Sequence, residues 1–436
     1  MRKSTVDKLH ESAFNSVNKL SVRLYLLTVM SVFAVCLSVF HVWPRPRISQ
    51  MEGRELAVFP AFSVSRMLNG EYMRDISLWF CDTRPFRDNF IDVYSHIKSA
   101  CQYRSTANDA VSIVSTSPAI SACEPYVPMR KAQRGIVLVG VGGDLRALLT
   151  YAGEGGGDEY ARTVNEYAAR MPWLSVYSMI APTATDFYMP LTALDATKPQ
   201  MTTIANVHSK LADNVTDIGI YNLLKSHRKE DIYLRTDHHW SPLGAYYAAE
   251  AFAHRAEVPF RDLSGGWYSK HTIHGFVGSM HRYSGDDGVK SAPEDFIYHM
   301  PAKVEYSTSF IQYKVDRHEK ITGQSSWFKS EFFKEFKDGS GGAYSTFMGS
   351  DRLLTVVRTS ADSPRRLLIV KDSYGNAVPG YLFYSFNEIH IVDFRYFPEN
   401  VVRYSVKNGI TDLLFIFNVF NVYNPITAKK LNAMLM

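Results

Sequence analysis

Beyond residue 131 the apolar positions fall into short runs of strand length: IVLVG (136–140), LSVYSMI (174–180), DIYLRT (231–236), RLLIVK (366–371), EIHIVD (388–393) and DLLFIFN (412–418). Most are separated by segments of helical period, among them DEYARTVNEYAARM, TIANVHSKLA, PLGAYYAAEAFAHRA, ENVVRYSVKNG and ITAKKLNAML. Strand and helix in alternation predict an α/β domain over residues 131–436, with a mostly parallel sheet flanked by helices. The rhythm breaks between about residues 257 and 363, where Gly, Ser, aromatic and charged residues dominate. That stretch reads as a large insertion or cap over the core, and segments of such length inside a compact domain usually serve function. Residues 44–130 form a juxtamembrane region and connector, with a helix expected at 86–99 and a polar, small-residue stretch after it.

A different pattern precedes this. Residues 24–43, LYLLTVMSVFAVCLSVFHVW, carry no charge, and as a helix would reach about 30 Å, enough to cross a bilayer. The run ends in HVWPRPR without a small-x-small cleavage site, so it reads as a retained transmembrane signal anchor. Arg2, Lys3, Lys8, Lys19 and Arg23 against Asp7 and Glu11 make residues 1–23 a basic cytoplasmic tail. The expected location is a single-pass protein of the inner or plasma membrane, with its C-terminal domain periplasmic or extracellular.

Composition narrows the class. Of 436 residues 46% are hydrophobic and 21% charged, which excludes a disordered, collagenous or coiled-coil chain. The net charge of +5 sits mostly in the N-terminal tail, whereas a nucleic-acid binder needs it on the folded part, so no nucleic-acid partner is expected. Cys36 lies in the apolar span, and of Cys81, Cys101 and Cys123 the pair Cys101 with Cys123 is the expected disulfide. Gly140-Val141-Gly142-Gly143-Asp144-Leu145 lacks the spacing of a dinucleotide fingerprint and reads as a tight turn. No cofactor is expected, and H-E-x-x-H, Walker A and G-x-S-x-G motifs are all missing from the sequence.

Two segments carry chemistry. In Thr236-Asp237-His238-His239-Trp240, followed by Ser-Pro-Leu-Gly, Ser241 is a natural N-cap and Pro242 a natural first helical residue. The histidines therefore fall between a strand end and a helix start, where open α/β sheets place ligands. Asp237, two residues before His239, is spaced to fix that ring's tautomer while the other ring nitrogen acts as base. His238 and Trp240 are its neighbours, with His238 the alternative base. The second segment, Leu367-Leu368-Ile369-Val370-Lys371-Asp372-Ser373-Tyr374-Gly375-Asn376, runs from a strand into Asp-Ser and then an expected helix. A serine at that corner is exposed as a nucleophile, with the Ser373 and Tyr374 N–H groups as an oxyanion hole. Asn418, ending its own strand, is a further oxyanion candidate or a plain turn residue. The Asp237, His238 and His239 cluster lacks further ligands at metal spacing, so no metal site is expected.

The T-D-H-H-W-S-P-x-G-A-Y-Y-A segment together with K-D-S-Y-G resembles the bacterial DHHW protein family, related to periplasmic alginate O-acetyltransferases. The resemblance implies an SGNH-hydrolase-like, flavodoxin-like fold, with Asp237, His239, Trp240 and Ser373 at the positions of the alginate enzymes' D-x-H-W and serine. It also implies an extracytoplasmic Ser-His-Asp enzyme that moves an acetyl group onto or off a polysaccharide, with the acyl donor supplied through a membrane-bound O-acyltransferase. Acetyl esterase and non-catalytic glycan-binding or scaffold protein are the alternatives. His238 departs from the alginate pattern and leaves open which imidazole does the work.

Overall fold

The computed structural model describes residues 23–35, 38, 48–49, 54–55, 58–68, 70–83, 127–315 and 321–436. The chain falls into two units, Met1–Tyr94 and Ser95–Met436. The first holds a helix over residues 23–35, a two-strand pair Ile48–Ser49 with Arg54–Glu55, and helices Val64–Leu68 and Glu71–Thr83. Among the described residues no helix is long and apolar enough to cross a membrane. The helical part of the expected span exposes Leu24, Leu27, Val32 and Phe33, and most of residues 36–43 lie outside the described residues. So do the expected helix at 86–99 and the Cys101 and Cys123 pairing.

The second unit is a mixed α/β fold around an eight-stranded sheet. Its strands are β1 (Ser175–Ala181), β2 (Val215–Ile218), β3 (Tyr306–Ile311), β4 (Phe328–Lys329), β5 (Leu354–Thr359), β6 (Arg366–Lys371), β7 (Glu388–Asp393) and β8 (Asp412–Asn418). They lie in the order β4-β3-β5-β7-β6-β8-β1-β2. The run β7-β6-β8-β1-β2 is parallel, while β5, β3 and β4 add on antiparallel. Five residues of β6 and six of β8 are buried in succession, as strands covered on both faces require.

The pleat sends alternate residues to two cores. Leu367, Ile369, Leu414 and Ile416 pack with helix α3 (Pro242–Arg255) and with residues of the 268–301 hairpin on one face. Leu368, Val370, Leu413 and Phe415 pack on the other with α1 (Asp158–Arg170), α2 (Gln200–His208), α5 (Val401–Asn408) and α7 (Pro425–Ala433). Ser241 caps α3 by accepting from Gly244 N–H at 3.2 Å, with Pro242 at its first turn.

Three expectations change. IVLVG forms a strand, Ile136–Val139, but in a separate antiparallel sheet with Met129–Lys131 and Arg146–Leu149; the glycine-rich segment after it is the hairpin turn. DIYLRT is not a strand of the sheet. Ile232, Tyr233 and Leu234 are buried, and their pairing partners are residues 239–241 of their own loop, through an isolated Tyr233–Trp240 bridge. The apolar run there records burial beneath α3 and not a ladder. Residues 306–359, expected within a cap, instead contribute β3, β4 and β5 to the central sheet. The remaining hairpin, Tyr268–Phe276 with Glu294–Pro301, encloses α4 (Ser279–Ser284).

Candidate active site

The loop between Ile232 and Ser241 is pinched at its base: Ser241 N–H donates to Ile232 O at 2.9 Å and Leu234 N–H to His239 O at 3.3 Å. Gly244 makes the pinch possible, because a Cβ there would come within 2.3 Å of Ile232 O. Residues 235–239 therefore project as a tight turn. Glu294, from the hairpin, holds that turn from behind. Its carboxylate accepts Arg235 N–H, Thr236 N–H and the Thr236 hydroxyl at 2.6–2.9 Å, and Thr236 Oγ1 accepts Gly278 N–H at 3.0 Å. Gly278 is pressed so close that a Cβ would lie 2.4 Å from that of Asp237.

On this turn Asp237 and His239 are both buried. Asp237 Oδ1 accepts the His239 backbone N–H at 3.0 Å and lies 2.6 Å from His239 Nδ1, while Oδ2 accepts Ser279 N–H at 2.8 Å. Burial opposes the charge on Asp237, but the His239 and His238 rings and the hydrogen bonds from His239 and Ser279 outweigh it. They hold its carboxyl well below the usual carboxylate range. An ionised carboxylate only accepts, so Nδ1 carries the proton and the Nε2 lone pair is left free. Nε2 lies 2.8 Å from Ser373 Oγ.

The nucleophile turn is equally fixed. Asp372 is buried at the end of β6, and its Oδ1 accepts Tyr374 N–H at 2.9 Å. Oδ2 accepts Asn418 N–H at 2.8 Å and Asn421 Nδ2–H at 2.7 Å. Burial lifts the Asp372 carboxyl above its ordinary range despite these donors. Ser373 alone is half-buried among buried neighbours, and a short 3-10 turn, Ser373–Asn376, stands where a helix was expected. Gly375 packs against the Lys371 side chain so closely that a Cβ there would come within 2.5 Å of the Lys371 Cβ.

The two segments are cross-tied. Trp240, fully buried, donates Nε1–H to Tyr374 O at 3.0 Å, and the Tyr374 hydroxyl donates to His238 O. Trp240 thus braces the site from beside it. His238 turns away from Ser373: its Nδ1 lies 2.7 Å from Ser279 Oγ, and burial together with the adjacent His239 pushes the ring below its ordinary range. The Tyr374 N–H, expected in an oxyanion hole, is already donated to Asp372, which removes it from that role. Asn418 caps α6 (Val419–Tyr423) by accepting Asn421 N–H at 3.0 Å, the turn role, and its backbone N–H donates to Asp372 of the nucleophile turn at 2.8 Å. Its side-chain NH2 has no hydrogen-bond partner among the described residues.

Asp237, His238 and His239 bring ligand atoms within 4.8 Å of one another and are the set that could hold a metal among the described residues. In the observed arrangement both Asp237 oxygens and both His239 nitrogens are engaged in the hydrogen bonds above. Sequence reasoning missed Glu294, Gly278, Ser279 and Tyr344. The Tyr344 ring stacks on His239 with centroids 3.9 Å apart and planes 7° from parallel. None carries a local signal, since each acts across the fold, Glu294 at 58 residues from Thr236 and Tyr344 at 29 from Ser373.

A family model described as DHHW protein matches residues 135–392. Among solved structures, a DHHW family protein from Eubacterium siraeum is 34% identical, covering 71% of this chain and 98% of its own, with a TM-score of 0.63. Bacillus cereus PatB1, solved with a sulfonyl adduct, is 18% identical over 68% of this chain and 96% of its own, at TM-score 0.50. The O-acetyltransferase domain of Pseudomonas putida AlgJ aligns more distantly, 13% identical over 67% of this chain and 98% of its own, at TM-score 0.37. No curated protein matches the chain.

Proposed function

The chain belongs to the DHHW protein family, and we propose that this member is a serine acyl-transfer enzyme, an O-acetyltransferase that acts on a polysaccharide outside the cytoplasm. The observation that carries the reading is the unbroken line Asp237, His239, Ser373, with contacts of 2.6 and 2.8 Å. A glycan-binding scaffold has no need of it.

His239 Nε2 takes the Ser373 hydroxyl proton as Oγ bonds to the acyl carbon of the donor. The bond from that carbon to the leaving oxygen breaks, and His239 returns the proton to the leaving oxygen. Asp237 stabilises the imidazolium in between. An acceptor hydroxyl then gives its proton to His239, attacks the acyl-serine, and Ser373 recovers its proton. The Ser373 N–H and the Asn418 side-chain amide are the oxyanion donors of this scheme. A sugar hydroxyl as acceptor makes the enzyme a transferase; water makes it an esterase. The apolar side chains around the helix of residues 23–35 favour membrane attachment, which would bring the domain to a donor delivered through a membrane-bound O-acyltransferase.

The test is acetyl release from an activated acetyl ester by the full chain, with and without a soluble polysaccharide acceptor, beside Ser373→Ala. Serine-dependent turnover with acetyl appearing on the polysaccharide is expected. Turnover that survives Ser373→Ala, or none from folded wild type, overturns the reading; release to water alone in the presence of acceptor makes it an esterase.

A further inference from the structure

We propose that Tyr344, which lies outside both sequence motifs, is a positioning residue that sets the His239 base against the Ser373 nucleophile. The inference rests on the serine acyl-transfer reading. The ring lies flat on the His239 imidazole, 3.9 Å away and 7° from parallel, and the His238 ring flanks that imidazole at 3.8 Å and 38°. Hydrogen bonds at Nδ1 and Nε2 fix the imidazole within its plane; the two flanking rings keep that plane from tilting. At its other end the Tyr344 hydroxyl donates to Ser373 O at 3.1 Å and to Tyr374 O at 3.4 Å. One rigid side chain therefore touches the base with its face and the nucleophile turn with its tip.

Tyr344 is itself held. It is buried, with Phe296 of the hairpin and Phe347 packed edge-on at 6.3 and 5.9 Å. Burial pushes its hydroxyl far above the ordinary range, so it stays a donor. An aromatic face also attracts the positive charge that His239 acquires when it takes the serine proton. None of these contacts reaches a substrate, which makes Tyr344 a positioning residue and not a catalytic one.

The experiment measures kcat and KM for an activated acetyl ester with the full chain as wild type, Tyr344→Leu, Tyr344→Phe and Ser373→Ala, with circular dichroism as the folding control. A misplacement near 1 Å costs about 100-fold, so Tyr344→Leu should lower kcat by about that factor with KM nearly unchanged. Tyr344→Phe keeps the stacked ring and loses only the hydroxyl ties, and should recover kcat to within about tenfold of wild type without reaching it. A folded Tyr344→Leu with wild-type kcat overturns the proposal, as does a loss that appears only in KM. Should Tyr344→Leu fail to fold, Tyr344→Phe decides, because kinetics identical to wild type deny the hydroxyl its positioning role. Wild-type turnover through Ser373 alongside an indifferent Tyr344→Leu overturns this inference alone; absence of Ser373-dependent turnover in folded wild type overturns both.

Discussion

His239 faces Ser373 while His238, one residue earlier, faces Ser279, and the two imidazoles differ in what they can do for that reason. His238 is held uncharged by burial and by its neighbour, so removing it takes no charge from the site at neutral pH. We expect His238→Gln to keep turnover within about tenfold of wild type and to leave the shape of the pH profile unchanged, whereas His239→Gln should lose about 1,000-fold or more in kcat. The same ester assay over pH 5–9 reads both. Asp237→Asn should cost about 1,000- to 10,000-fold in kcat with KM little changed, because an amide offers Nδ1–H no ionised acceptor and lets the wrong tautomer form. Steady-state kinetics on the purified variant checks that split.

At the scale of elements, the hairpin 268–301 supplies the carboxylate that shapes the acid's turn. Glu294 accepts three donors there, and its carboxyl is lifted by burial even so. Glu294→Gln exchanges one acceptor for a donor facing buried N–H groups, so we predict a stability loss of about 1–3 kcal/mol together with a fall in kcat. Urea unfolding followed beside the ester assay tests the pairing; full kcat in the variant would show that the turn holds without it. This contact also marks what the sequence could and could not disclose. Hydrophobic runs with a single reading, such as β6, β7, β8 and the periodic α1 and α3, were legible because burial on both faces or along one stripe writes itself into local composition. Asp237, His239 and Ser373 were legible because each lies in a short segment whose chemistry is local. DIYLRT departs from its expected strand because a short apolar run reports buried positions, and a loop packed beneath a helix buries them as well as a sheet does. The Tyr374 N–H departs from its expected oxyanion role for a similar reason: a backbone donor's availability depends on whether the preceding aspartate turns back onto it. Glu294 and Tyr344 act through tertiary contacts, and no spacing encodes them.

Across the whole second unit, a buried charge cluster lies just behind the nucleophile. Lys371 is buried and donates to Asp351 and Asp393, each at 2.9 Å, and Arg395 bonds the same two carboxylates. Burial disfavours the charge on Asp351, but Lys371 and Arg395 hold it well below the usual carboxylate range. A depressed carboxyl stabilises the fold fully above its unfolded pKa, about 4, and that contribution is lost as pH falls through the folded value. Asp237 adds in the same direction, while the raised Asp372 and Glu294 oppose it. We expect stability to decline as pH drops below about 4, and Asp351→Asn to lose about 3 kcal/mol at neutral pH with a shallower decline in acid. Denaturant titrations across pH 2–7 would show it; an unchanged slope in the variant would place the acid sensitivity elsewhere.

The central claim is that Ser373 becomes acylated with His239 as its base. The most direct measurement is intact-protein and peptide mass spectrometry after brief exposure of the full chain to an activated acetyl ester. The account predicts one added acetyl group on the peptide containing Ser373, absent from Ser373→Ala and strongly slowed in His239→Gln but not in His238→Gln. Acetylation that persists in Ser373→Ala, or a folded wild type that acquires none, would contradict it.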